Sequence, residues 1–193
     1  CHVRLGQLEE AEDALKNALV VTEKNSTLNL ACVYWLARTY ELTKRYEEAL
    51  SESHTYCKFA TLGGTYYPNA IVNSGKVFYQ LKDYQNAIPL FEYCVSNGKK
   101  YTSSVFNDAL LKLADSYNKN GMPTKTISLF NKINKDDVGS LPYYLLMSYT
   151  GDAYKDLKEY KKAYDLYCEV LSSGEKSLSA NALKKAYNIS ASY

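Results

Sequence analysis

Apolar residues recur along this chain at helical rather than strand spacing, in segments separated by short polar turns. Leu8, Ala11, Ala14, Leu15, Ala18 and Leu19 share one face of a helix over residues 8–23, the three-and-four spacing of an amphipathic helix. Asn25-Ser26 breaks that helix, and Ser26 is placed to cap a second one over 27–42, its hydroxyl meeting backbone N–H groups of the first turn. Residues 46–60 form its partner, and Gly63-Gly64 ends the hairpin. Pro68 suits the first turn of a helix running to about residue 81, because its missing N–H has no helical partner there. Further helices are predicted over 84–96, 102–120, 123–133, 140–156, 160–172 and 177–193, with stops at Asn97-Gly98, Gly121 and Gly174. Residues 1–3 close an earlier helix, and Gly6 marks its turn. Pro89 predicts a bend, or a helix start displaced later, since it removes a backbone hydrogen bond and crowds the preceding turn. Residues 134–139, with Asp136-Asp137, read as a polar loop.

One stretch organises this pattern. Residues 151–171, GDAYKDLKEYKKAYDLYCEVL, place small residues at Gly151 and Ala163 and aromatics at Tyr154, Tyr160 and Tyr167. Two helices joined by a tight turn, touching at the small residues, account for it. Variants recur as ARTYELTKRYEEAL from Ala37, GKVFYQLKDYQNAIPLF from Gly75 and ADSYNKNGMPTKTISLF from Ala114, with RLGQLEEAEDAL from Arg4 as a partial copy. The small residue after each turn falls at Ala11, Ala49, Ala87, Thr126 and Ala163, in steps of 38, 38, 39 and 37 residues. Self-similarity at a nearly fixed period marks a stacked repeat architecture.

The order of small residue, tyrosine three on, turn, Tyr or Leu, Ala three on and then an aromatic resembles the tetratricopeptide repeat. Five turn-plus-second-helix signatures are present, and ISASY at the end looks like the first helix of a sixth. The chain departs from the commonest form in its longer period and in carrying Thr126 for alanine and Pro123 for an aromatic, which makes the fourth repeat the least regular. The resemblance implies an all-α, right-handed α-solenoid of antiparallel helix hairpins, a tetratricopeptide-like α-α superhelix. Residues 1–193 are expected to form a single repeat domain. Because the chain starts and stops in what read as helices, it is expected to be a fragment of a longer protein.

Composition narrows the function. In a repeat stack each unit buries its apolar face on its neighbours, so no single central core is needed. No run of about 18 apolar residues suggests a membrane span. A formal net charge of +2 lacks the clustered basic excess of nucleic-acid binders. Cys1, Cys32, Cys57, Cys94 and Cys168 show no metal-knuckle or redox-pair spacing. They read as reduced, structural thiols, which favours a reducing, cytoplasmic setting. His2 and His54 have no convergent Cys or Asp pattern, Gly63-Gly64 lacks the Lys-Ser/Thr ending of a phosphate loop, and Glu47-Glu48 and Asp136-Asp137 read as solvated charge. Neither enzymatic chemistry nor a cofactor or metal is expected.

The 20 tyrosines read mainly as architecture. Tyr40, Phe78, Tyr117, Tyr154 and Tyr193 recur in first helices and Tyr46, Tyr84 and Tyr160 after turns, where a ring packs while its hydroxyl reaches a loop or water. Tyrosines elsewhere on first helices are available for a stacking or peptide-binding surface.

Recognition remains. The resemblance implies that first helices line a concave groove, so a ligand there meets matching positions of successive repeats. Those positions carry Tyr34, Trp35, Arg38, Asn73, Lys76 and Lys112, a partly basic track with aromatics beside it, before Asp115 and Asp152 turn it acidic. This partly resembles the carboxylate clamp with which some tetratricopeptide domains hold an acidic chaperone tail. Asn73 and Lys112 fit that clamp; Tyr34, Arg38 and Asp108 do not. The expected role is a protein-interaction scaffold that binds a peptide or partner helix, with an acidic or C-terminal carboxylate group as the candidate anchor. The alternative is a ligand- or peptide-sensing tetratricopeptide domain of a bacterial regulator, controlling an output domain elsewhere.

Overall fold

The structure, a computed structural model, describes residues 7–60, 64–98 and 101–190. Among these residues eleven helices follow one another: α1 (Leu8–Val21), α2 (Thr27–Leu42), α3 (Tyr46–Phe59), α4 (Tyr67–Gln80), α5 (Tyr84–Ser96), α6 (Ser103–Lys119), α7 (Pro123–Phe130), α8 (Lys135–Val138), α9 (Ser140–Asp156), α10 (Tyr160–Ser172) and α11 (Lys176–Ser190). The readings made of Cys1, His2, Gly6, Gly63 and Tyr193 lie outside the described residues.

The helix ends follow local chemistry. Ser26 caps α2 by accepting the Asn29 N–H at 3.2 Å, and Thr102 caps α6 by accepting from Val105 at 3.5 Å. Asp83 accepts the Asn86 N–H at 3.2 Å, so α5 starts at Tyr84 and its start is not displaced by Pro89. The hydrogen bond that Pro89 forgoes falls on the carbonyl of Gln85, in the capped first turn.

Four intra-hairpin turns share one closure. The N–H groups of Arg45, Asp83, Met122 and Glu159 donate to the carbonyls of Tyr40, Phe78, Tyr117 and Tyr154 at 2.8–2.9 Å. The preceding residue of each turn is left-handed and donates three residues back, which together close the last helical turn. That residue is Gly121 in the fourth hairpin (φ +71°), but Lys44, Lys82 and Lys158 in the others, at φ of 61–62°.

The five small residues that set the repeat period are all buried, none more than 3% exposed. Thr126 is accommodated because its hydroxyl lies 2.7 Å from Asn118 Oδ1 and 3.1 Å from the Ala114 carbonyl. Two helix contacts need glycine: a Cβ at Gly75 would stand 2.7 Å from the Phe91 ring, and one at Gly151 2.5 Å from Tyr167.

The chain divides into two compact units, Cys1–Cys94 and Val95–Tyr193. In the first, α2 packs on α1, α3 and α4, around Val33, Tyr34, Tyr56 and Ala70 and around Leu36, Tyr40, Ala49 and Val77. In the second, α9 packs on α6, α7, α8, α10 and α11. Its core is built on Leu110, Ala114, Val138 and Leu146, on Met147, Val170 and Ala182, and on Ala163, Tyr167, Ala186 and Ile189. The stretch expected as a loop is corrected here. Helix α7 stops at Phe130, and α8 forms within residues 134–139, carrying Val138 into the core.

Candidate functional site

On α2, Tyr34 and Trp35 bring two aromatic rings to the part of the first unit where α2 meets α4. Tyr34 is 7% exposed. Its ring stacks on that of Tyr66, just before α4, with centroids 4.6 Å apart and planes 7° from parallel. Trp35 stands edge-on to both, at 5.2 Å from Tyr34 and 6.0 Å from Tyr66, and Tyr56 of α3 lies 5.8 Å from Tyr34. Trp35 and Tyr66 remain half-buried. From α4, Asn73 Nδ2 donates to the Tyr34 hydroxyl at 3.5 Å. Burial pushes the Tyr34 phenol up, while the nearby Arg38 charge and the Asn73 hydrogen bond hold part of that rise back.

Three of the six predicted site residues, Tyr34, Trp35 and Asn73, are thus brought into one cluster. Arg38 lies one turn further along α2, where its guanidinium is closed on Glu41 in an i,i+3 ion pair. Lys76 on α4 and Lys112 on α6 are half-buried, and each has interactions of its own. Lys112 belongs to the second unit. The acidic positions are answered as well. Asp115 pairs with Lys119 at 3.0 Å, and Asp152 with Lys185 at 2.6 Å. The same ammonium reaches Ser148 Oγ at 3.0 Å, and the Tyr167 hydroxyl donates to Asp152 at 2.8 Å. Burial and the Asp152 carboxylate both push the Tyr167 phenol up.

Two residues of this picture escaped the sequence reading. Tyr66 precedes its helix, outside the repeat positions that were compared. Glu41 was legible, since a carboxylate three residues after an arginine on a helix is a neighbour. No sequence signal pairs Lys185 with Asp152, 33 residues away.

Elsewhere, a polar cavity of about 350 Å³ is lined by Asp152, Lys155, Tyr160, Tyr167, Lys185 and Asn188. A larger one, of about 560 Å³, lies among Val95, Gly98, Tyr101, Phe106, Ile133 and Asp137. Cys32, Cys57, Cys94 and Cys168 are free thiols, and burial pushes Cys57 up to about 11 and Cys94 to about 12. Among the described residues no group of three His, Cys, Asp or Glu side chains is arranged to hold a metal ion, and no helix is long and apolar enough to cross a membrane.

Residues 108–138 match the tetratricopeptide repeat family model. They include the fourth hairpin's turn, the repeat whose residues depart furthest from the common pattern. Solved structures agree over most of the chain. A tetratricopeptide repeat protein from Parabacteroides merdae superposes with a TM-score of 0.78 at 17% identity, covering 97% of this chain and 68% of that one. The nearly identical TPR-like repeats of a putative kinesin light chain from Podosopora anserina give 0.74 at 16%, with 91% of each chain covered. YrrB, described as a tetratricopeptide protein with an unusual peptide-binding site, gives 0.72 at 16%, covering 95% of this chain and 87% of its own. A search of curated proteins finds no match. The chain is an all-α helical repeat array of tetratricopeptide type, a fold that serves in general as a scaffold for protein–protein interaction.

Proposed function

We propose that this chain is a non-catalytic interaction module that takes a peptide or partner helix along its first helices, residues 1–193 acting as one repeat domain. The observation that carries the reading is the meeting of Tyr34 and Trp35 from α2 with Asn73 from α4. Consecutive first helices then offer one surface that combines the half-buried Trp35 ring, backed by Tyr34, with the Asn73 amide, as a peptide groove requires. Arg38 and Lys76 border that surface, and Lys112 is assigned to the equivalent face of α6. The peptide-binding site ascribed to YrrB supports the reading by analogy of fold. A carboxylate anchor is the less favoured version, because Arg38 already holds Glu41.

The test is a pull-down from the source organism's lysate at low and high salt. The parent is compared with Asn73→Ala and with a variant in which Arg38, Lys76 and Lys112 are all alanine. A partner kept by the parent and lost by a folded variant supports the groove. A partner held equally by all three moves recognition to another face. The sensor alternative draws on the cavity of about 560 Å³, which lies within the usual range for a small-ligand site. Small-angle scattering that changes on ligand addition would favour it.

A further inference from the structure

We infer that α11 is a latched helix: the pair between Lys185 and Asp152 fastens it to α9, and without that pair it opens as a unit while the rest of the second unit stays folded. The latch shares no residue with the cluster of Tyr34, Trp35 and Asn73.

Repeat register makes Lys185 an anomaly. With Ser190 as the small residue of the sixth repeat and Tyr193 three on, Lys185 stands five residues before it. The same position holds Cys32, Ala70, Ala109 and Leu146 in the other first helices, all of them buried and apolar. Apolar packing of α11 is correspondingly thin. Its buried side chains are Ala182, Ala186 and Ile189, with Leu178 half-buried beside them. By contrast, α6 buries Val105, Leu110, Leu113 and Tyr117 as well as its small residues. Leu183 and Tyr187 of α11 face outward, 60% and 75% exposed. Apolar stabilisation follows the area removed from water, so this face alone holds α11 weakly.

Polar contacts make up the difference. The Lys185 ammonium donates to Asp152 Oδ2 at 2.6 Å and to Ser148 Oγ at 3.0 Å, both on α9. It also lies 5.5 Å from the centroid of the Tyr167 ring on α10. The other Asp152 oxygen accepts the Tyr167 hydroxyl at 2.8 Å. Both side chains of the pair are 23% exposed, so water screens their attraction less than that of a surface pair. Removing one partner leaves the other charge half-buried and unanswered, which is costly. The pair nevertheless borders the polar cavity of about 350 Å³, where salt can reach it. Opening of α11 uncovers the face of α9 and α10 that it covers, including Met147, Ala163, Tyr167 and Val170.

The test is hydrogen exchange of the whole chain under native conditions, for the parent, Lys185→Gln, Asp152→Asn and the double variant. Each single variant should speed exchange across α11 about tenfold, the loss of one charged hydrogen bond, with α6 and α7 unchanged. The double variant should be no faster than either single one, since all three lose one shared interaction. Unchanged α11 exchange in both single variants overturns the latch. Equal acceleration of α6 and α11 also overturns it, because the pair then holds the whole unit rather than one helix. So does a double variant in which the two single effects multiply. Should the variants fail to fold, the parent alone decides. Exchange in α11 that rises with salt ahead of α6 supports the latch, and α11 exchange indifferent to salt overturns it.

Discussion

Glycine within a helix ordinarily costs stability, yet Gly151 lies inside α9 with no turn to make. Its reason is contact: a Cβ there would stand 2.5 Å from a Tyr167 ring atom. Two effects oppose each other in Gly151→Ala. Helix propensity favours alanine by about 1 kcal/mol. Against it, Tyr167 is fully buried and its hydroxyl is held by Asp152, so the ring has little room to withdraw. Overpacking of that kind typically costs about 1–3 kcal/mol, and urea denaturation should show a net loss of stability. A variant more stable than the parent would refute the contact. Thiol chemistry gives a second residue-level prediction. Alkylation requires thiolate, and burial raises Cys94 to about 12, so its thiolate fraction near pH 8 falls by roughly two to three orders of magnitude relative to an exposed cysteine. Native protein treated with iodoacetamide should leave Cys94 unmodified, while urea-unfolded protein at the same pH should be labelled there. Labelling at equal rates in both states would contradict this burial.

At the scale of the helix, the turns carry the most unusual local feature. Lysine occupies the left-handed position of three turns, where the fourth uses Gly121. A side chain in that conformation meets the following carbonyl, a penalty of about 1–2 kcal/mol that glycine avoids at some cost in entropy. Lys82→Gly is therefore expected to raise the unfolding free energy by roughly 0.5–1 kcal/mol, read as a higher denaturation midpoint with an unchanged m-value, and Gly121→Lys to lower it. The same helices show what the sequence could disclose. Helix α2 was legible from end to end because Ser26 caps it and its spacing is continuous. The α9 and α10 bounds were likewise announced by Ser140, Pro142 and Gly174. Helix α8 was not, since four residues are too few to display a helical period and only Val138 turns inward. The displaced start read from Pro89 failed for a different reason. The proline's lost hydrogen bond falls in a turn that Asp83 already caps, so the helix start need not move.

For the whole molecule, the repeat period read from small residues corresponds to burial at every one of them, from Ala11 to Ala163. The fold class was legible because each hairpin restates the same packing rule, and repetition lets a weak signal accumulate. The candidate site was legible only in part. Tyr34, Trp35 and Asn73 converge because repeat positions on neighbouring first helices are neighbours in space. The basic track is altered by ion pairs, such as Arg38 with Glu41, that depend on side-chain placement rather than on repeat register.

The claim that first helices form the interaction surface is tested most directly by hydrogen exchange of this chain with and without its captured partner. Binding should slow exchange on α2 around residues 34–38 and on α4 around residues 73–76. Slowing confined to the second helices α1, α3 and α5, with α2 and α4 unchanged, would contradict it.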